Sequence, residues 1–107
     1  MPEQHSIVGT YFQGTRAQEL MSGLEPGSTL GVVREPKNQF DSYACAVYAS
    51  TPKENNGSTK LGYISRDTNF PLAQFMDEHD LQYIMGTFVP SSSIELDLES
   101  IRTDLEA

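Results

Sequence analysis

The chain has 107 residues, 37% of them hydrophobic, with five Tyr, five Phe and no Trp. That length holds one domain able to bury roughly two-thirds of its unfolded surface, and the apolar content is above that of disordered chains. Seven Lys and Arg against fifteen Asp and Glu give a net charge of −8, which argues against a surface built to grip duplex nucleic acid.

The start lacks a basic segment followed by an apolar one, and no apolar run is long enough to span a bilayer, so a soluble cytoplasmic protein without membrane association is expected. Residues 7–12 are β-prone and closed by Gly14. Thr15 then opens a helix, with Thr15 and Gln18 as a capping-box pair and Ala17, Leu20, Met21 and Leu24 as its buried stripe. Gly23 and Pro26-Gly27 stop it. Residues 29–35 read as a strand. Residues 35–41 read as an irregular loop, because Pro36 removes a ladder donor and Asn38 and Asp41 favour turns. Strands are expected at 43–49 and 60–64, joined antiparallel through a polar stretch whose turn signal is Asn56-Gly57. The single cysteine, Cys45, lies in an apolar run and is expected in the core. A second helix starts near Asn69 with Pro71 in its first turn and Leu72, Phe75 and Met76 facing inward. Residues 81–89 and 94–98 alternate as strands, and residues 99–107 form an acidic, frayed tail or a short helix. The order β, α, β, β, β, α, β, β describes a mainly β (α+β) domain, a small barrel of about six strands with two helices at its ends.

Charge is distributed unevenly along the chain. Residues 1–66 hold six cations (Arg16, Arg34, Lys37, Lys53, Lys60 and Arg66) and six acids, whereas residues 67–107 hold nine acids and only Arg102. An anion site therefore belongs to the first part, and the acidic second part repels polyanions from the remaining surface. Signatures of catalysis and of cofactor binding are absent. His5 and His79 stand far apart without a nearby Cys or spaced His, and the phosphate-cradling glycine loops and the nucleophile elbow are missing. Asp77 and Glu78 read as solvated helix surface. No enzyme, metal or cofactor is expected, and the oligomeric state is left open.

Three segments taken in order carry further information: VGTYFQG at 8–14, REPKNQFDSYACAVY at 34–48, and LGYISR at 61–66. Their combination resembles the HIRAN domain family over residues 6–98, with an early glycine and aromatic pair, an acidic-Pro-x-Asn-x-aromatic-Asp loop, and Leu-Gly-Tyr-Ile followed by a basic residue. The resemblance implies an OB-like or SH3-like barrel and a pocket that captures the free 3′-hydroxyl end of single-stranded DNA, in a repair or replication setting. By position it implies DNA contacts from Tyr11, Phe12, Phe40, Asp41, Tyr63 and Arg66. The chemistry of these residues is coherent: aromatic rings stack on bases without demanding a sequence, Arg66 forks onto phosphate, and Asp41 accepts from a hydroxyl while repelling a terminal phosphate. If residues 7–12 are one strand, Tyr11 and Phe12 point to opposite faces and one of them enters the core. Thr10 stands where DNA-binding relatives can carry arginine, which implies weaker and strongly salt-dependent binding. The alternative is a protein-interaction or DNA-mimic module, of phage or plasmid origin, whose acidic half engages a basic host protein.

Overall fold

Six antiparallel strands close on themselves in the order β1-β4-β3-β2-β5-β6, with β6 returning to pair with β1. They are β1 (Glu3–Val8), β2 (Thr29–Arg34), β3 (Cys45–Ala49), β4 (Thr59–Ile64), β5 (Tyr83–Val89) and β6 (Ser93–Leu96). The structure is a computed structural model and describes residues 2–49 and 59–107; the expected Asn56-Gly57 turn lies outside them. β3 and β4 do pair antiparallel, as expected for the two arms of a hairpin.

Alternation along each strand sends one set of side chains inward. Ile7, Leu30, Val32, Cys45, Val47, Leu61, Ile64, Ile84, Phe88, Ile94 and Leu96 fill the interior. Burial pushes the Cys45 thiol up to about 11, so it stays a protonated core residue at neutral pH.

Three helices cover the barrel: α1 (Thr15–Gly23), α2 (Asn69–Glu78) and α3 (Leu98–Glu106). From α2, Leu72, Ala73 and Met76 are buried and Phe75 packs at the margin of the core; from α1 only Ala17 is fully buried, with Leu20, Met21 and Leu24 partly so. The acidic end of the chain is thus a third helix. Leu98 and Ile101, one turn apart, pack against the core, and Asp97 accepts the backbone N–H of Ser100 as its N-cap.

The expected capping box at Thr15 is not formed. Gly14 is the N-cap of α1, with φ 102° and ψ 175°, a region open essentially to glycine. The Gln18 amide reaches the carbonyl of Tyr11 instead (3.3 Å), which ties α1 to the turn before it. Asp77 is exposed, as expected of solvated helix surface, but it is also paired. Its two oxygens accept from Arg34 Nε and Nη2 at 3.0 Å each, while Arg34 Nη1 donates to the Ala44 carbonyl. The guanidinium, buried at the end of β2, thereby clamps β2, the approach to β3, and α2 together.

Candidate functional site

The strand read over residues 7–12 stops at Val8. Gly9, at φ 79°, takes a left-handed conformation, and residues Thr10–Gln13 continue as a 3-10 turn. A turn has no inward and outward faces, so neither ring enters the core: Tyr11 is 75% and Phe12 84% exposed. The two rings meet edge to face with centroids 5.6 Å apart.

Opposite this turn stands the loop between β2 and β3. Asn38 organises it, its Oδ1 accepting the backbone N–H of Phe40 (2.8 Å) and of Asp41 (3.1 Å). Asp41 then accepts the Tyr43 backbone N–H at 2.9 Å and the Asn69 amide at 2.8 Å, and its Oδ2 lies 3.4 Å from Arg66 Nε. Arg66 Nη2 also donates to the Phe40 carbonyl (3.2 Å). These bonds tie the loop to the start of α2 and to the turn before it. The Phe40 ring itself remains 86% exposed.

The backbone N–H of Tyr43 holds the Asp41 carboxyl below the usual carboxylate range against the opposing effect of burial, with Asn69 and Arg66 adding to it. A depressed carboxyl contributes stability that is present above its unfolded value and lost as pH falls. Acidification below about pH 4 should therefore loosen this loop. The check is the thermal midpoint between pH 6 and pH 3: the wild type should lose more than Asp41→Asn, whose midpoint should also start lower.

Between turn and loop lies a cleft of about 780 Å³, whose lining includes Phe12, Phe40, Asp41, Tyr63 and Arg66, five of the six residues singled out in the sequence. Tyr11 is not part of the lining and stands beside the cleft, against Phe12. The floor is supplied by Val8, Ala44, Ile64 and the buried Asn69. Lys37, one of the six cations of the first part of the chain, also lines it and has no ion-pair partner among the described residues. Tyr63 lines the cleft with its hydroxyl already committed, donating to Glu35 Oε1 and accepting from Lys60 Nζ, both at 3.0 Å. What it can offer a ligand is its ring.

The cleft thus combines two nearly uncovered phenyl rings, two cations and one carboxylate. Among the described residues no group of His, Cys, Asp and Glu is arranged to hold a metal ion, and no helix is long and apolar enough to cross a membrane. A model of the HIRAN domain matches residues 4–102, nearly the full length. The chain belongs to the HIRAN domain family.

HIRAN domains are DNA-binding and generally non-catalytic. The fold is similar to that of two solved structures. One, a protein from Lactobacillus plantarum, is 27% identical with a TM-score of 0.64, over 88% of this chain and 86% of that one. The other, the HIRAN domain of human HLTF, is 17% identical with a TM-score of 0.59, over 98% of this chain and 86% of that one. No curated protein matches the chain.

Proposed function

We propose that this HIRAN protein is a non-catalytic module that binds single-stranded DNA at a free 3′-hydroxyl end, in the cytoplasm and in the service of repair or replication. The observation that carries the reading is the pair of phenyl rings, Phe12 and Phe40, 84% and 86% exposed on the rim of one cleft that also holds Arg66 and Lys37. Exposed rings with cations between them match the needs of a single strand. Bases stack on the rings, at about 1–3 kcal/mol each, and phosphates meet the cations. Tyr11 extends the stacking surface beside the cleft, and the Tyr63 ring closes its side.

Asp41 supplies the choice of end. Its carboxyl stays ionised at neutral pH, so it accepts from a sugar hydroxyl and repels a terminal phosphate. Duplex is disfavoured by the protein's −8 charge, and the cations Lys37 and Arg66 make the cleft a place where a strand is welcome.

The test is a titration of labelled oligonucleotides at low salt, identical except for a 3′-hydroxyl or a 3′-phosphate. Tighter binding of the hydroxyl end is expected. Equal affinity removes the end-reading role of Asp41. Binding to neither, together with retention of basic proteins, transfers the function to the acidic surface. Arg66→Ala should weaken binding at every sequence and reduce the slope of log affinity against log salt by about 0.7, the contribution of one phosphate contact on a single strand.

A further inference from the structure

The Phe40 ring touches almost nothing, yet a stacking platform must hold its direction. What directs it is the backbone at Phe40 and Asp41, whose N–H groups both donate to Asn38 Oδ1. The other end of the Asn38 amide donates to Glu35 Oε1 at 3.0 Å. That same oxygen accepts from the Tyr63 hydroxyl, and Glu35 Oε2 accepts from Lys60 Nζ at 3.0 Å. Lys60 in turn donates to the Tyr63 hydroxyl and sits 5.0 Å from the centre of its ring. Glu35 is also fixed through its backbone, donating to the Ala44 carbonyl and accepting from the Asn38 N–H.

We propose that Glu35 is a positioning residue for ligand binding: its carboxylate locks the Asn38 amide on one side and the Tyr63–Lys60 pair on the other, and so sets where Phe40 and Asp41 meet the strand. The proposal rests on the DNA-binding reading for its ligand, but the positioning itself does not need one. An amide can rotate unless one end is held. With Glu35 in place, Asn38 has its nitrogen directed at the carboxylate and its oxygen at the loop N–H groups; without it, the side chain loses that constraint. Burial opposes the charge on Glu35, but the bonds from Asn38, Lys60 and Tyr63 prevail and keep the carboxyl below its usual range. Glu35 is therefore ionised throughout the neutral range.

The experiment uses the full chain and three variants, Glu35→Ala, Asn38→Ala and the double variant, with Glu35→Gln as the conservative control. Two quantities are read: amide hydrogen exchange residue by residue, and affinity for a 3′-hydroxyl oligonucleotide. Glu35→Ala should speed exchange at the Phe40 and Asp41 amides about tenfold while Val32 and Val47 in the barrel ladders keep their protection. Affinity should fall about fivefold to tenfold. Glu35→Gln, which keeps an acceptor for Asn38, should restore most of both. For exchange at the Phe40 and Asp41 amides the double variant should be no worse than Asn38→Ala alone, because Glu35 reaches those amides through Asn38.

Unchanged exchange at Phe40 and Asp41 in Glu35→Ala overturns the proposal. So does a uniform rise across the barrel, which assigns Glu35 to general stability, and so does full additivity in the double variant. If Glu35→Ala does not fold, the Gln variant decides: loop amides as protected as in the wild type support the proposal, and loop amides as exposed as in Asn38→Ala overturn it. A wild type that binds no oligonucleotide removes the DNA reading, and the exchange measurements still decide the positioning role by themselves.

Discussion

Replacing both Phe12 and Phe40 by alanine should abolish most oligonucleotide binding while leaving thermal stability unchanged. The two rings are 84% and 86% exposed, so their removal takes almost nothing from the core and leaves no cavity. Each ring offers a stacking face worth about 1–3 kcal/mol, so either single substitution should weaken binding by roughly fivefold to 150-fold. The double substitution should exceed either, although two rings facing one cleft will not add perfectly. Tyr11→Ala separates the cleft from its margin. Tyr11 lies beside the lining and meets Phe12 edge on, so its loss should be smaller than that of Phe12 or Phe40. The check is an anisotropy titration of the wild type and the four variants at one low salt concentration, with thermal melts on the same samples.

Gly62→Ala should be the most damaging single methyl in the site's scaffold. A Cβ at Gly62 would overlap the Val8 carbonyl, and it would lie 3.2 Å from Thr10 Oγ1 and 3.3 Å from Ile7 Cγ2. The glycine is needed because β1 crosses β4 there, in the register Ile7↔Ile64 and Val8↔Tyr63, immediately before the chain turns into the Phe12-bearing segment. A backbone carbonyl cannot step aside as a flexible side chain can, so the methyl forces the two strands apart at about 2–4 kcal/mol. For a domain of this size that lowers the melting temperature by on the order of 10 °C. Gly86→Ala is the informative control. Its Cβ would also collide, with the Glu95 carbonyl and the Leu96 side chain, but β5 lies across the barrel from β4. Both variants should be destabilised, whereas only Gly62→Ala should weaken binding when compared well below its melting point, since only there does the strain reach Val8 and Gly9.

The barrel was legible in the chain because period-two alternation and turn residues mark its strands directly: residues 29–35, 60–64 and 81–89 read as strands, within a residue or two of β2, β4 and β5. Helix α2 was legible for a similar reason, Pro71 at its start and an apolar stripe behind it. Where expectation and structure part, the cause is a local choice that periodicity does not encode. Gly9 adopts a left-handed conformation and turns an apparent strand into a 3-10 turn, which frees both Tyr11 and Phe12. Thr15 carries the residue pattern of a cap, but Gly14 takes the cap position and Gln18 bonds backward to Tyr11. Helix α3 was ambiguous because only Leu98 and Ile101 anchor it in an otherwise acidic segment.

Within the site, the aromatic, acidic and basic residues were legible only as three ordered motifs, and the cleft places five of the six side by side. The turn bonds of Asn38 and Asp41 are local, but the bonds that tie the loop to the rest of the site join residues far apart in sequence, with no local signature. Glu35, just past β2, meets Lys60 and Tyr63 of β4, two strands away, Asp41 meets Asn69 and Arg66, and Arg34 finds Asp77. Lys37 was hidden for a different reason: a lysine beside proline in a polar loop looks like ordinary surface until the fold turns it toward a cleft.

The central claim, that a strand end sits in the cleft between Phe12 and Phe40, is tested most directly by following the backbone amides of the isotope-labelled protein as a short 3′-hydroxyl oligonucleotide is added. Shifts should concentrate at Gly9, Phe12, Gln13, Lys37, Asn38, Phe40, Asp41 and Arg66, with α3 and β6 undisturbed. Shifts confined to α3 and the acidic surface, or no shifts at all, would contradict it.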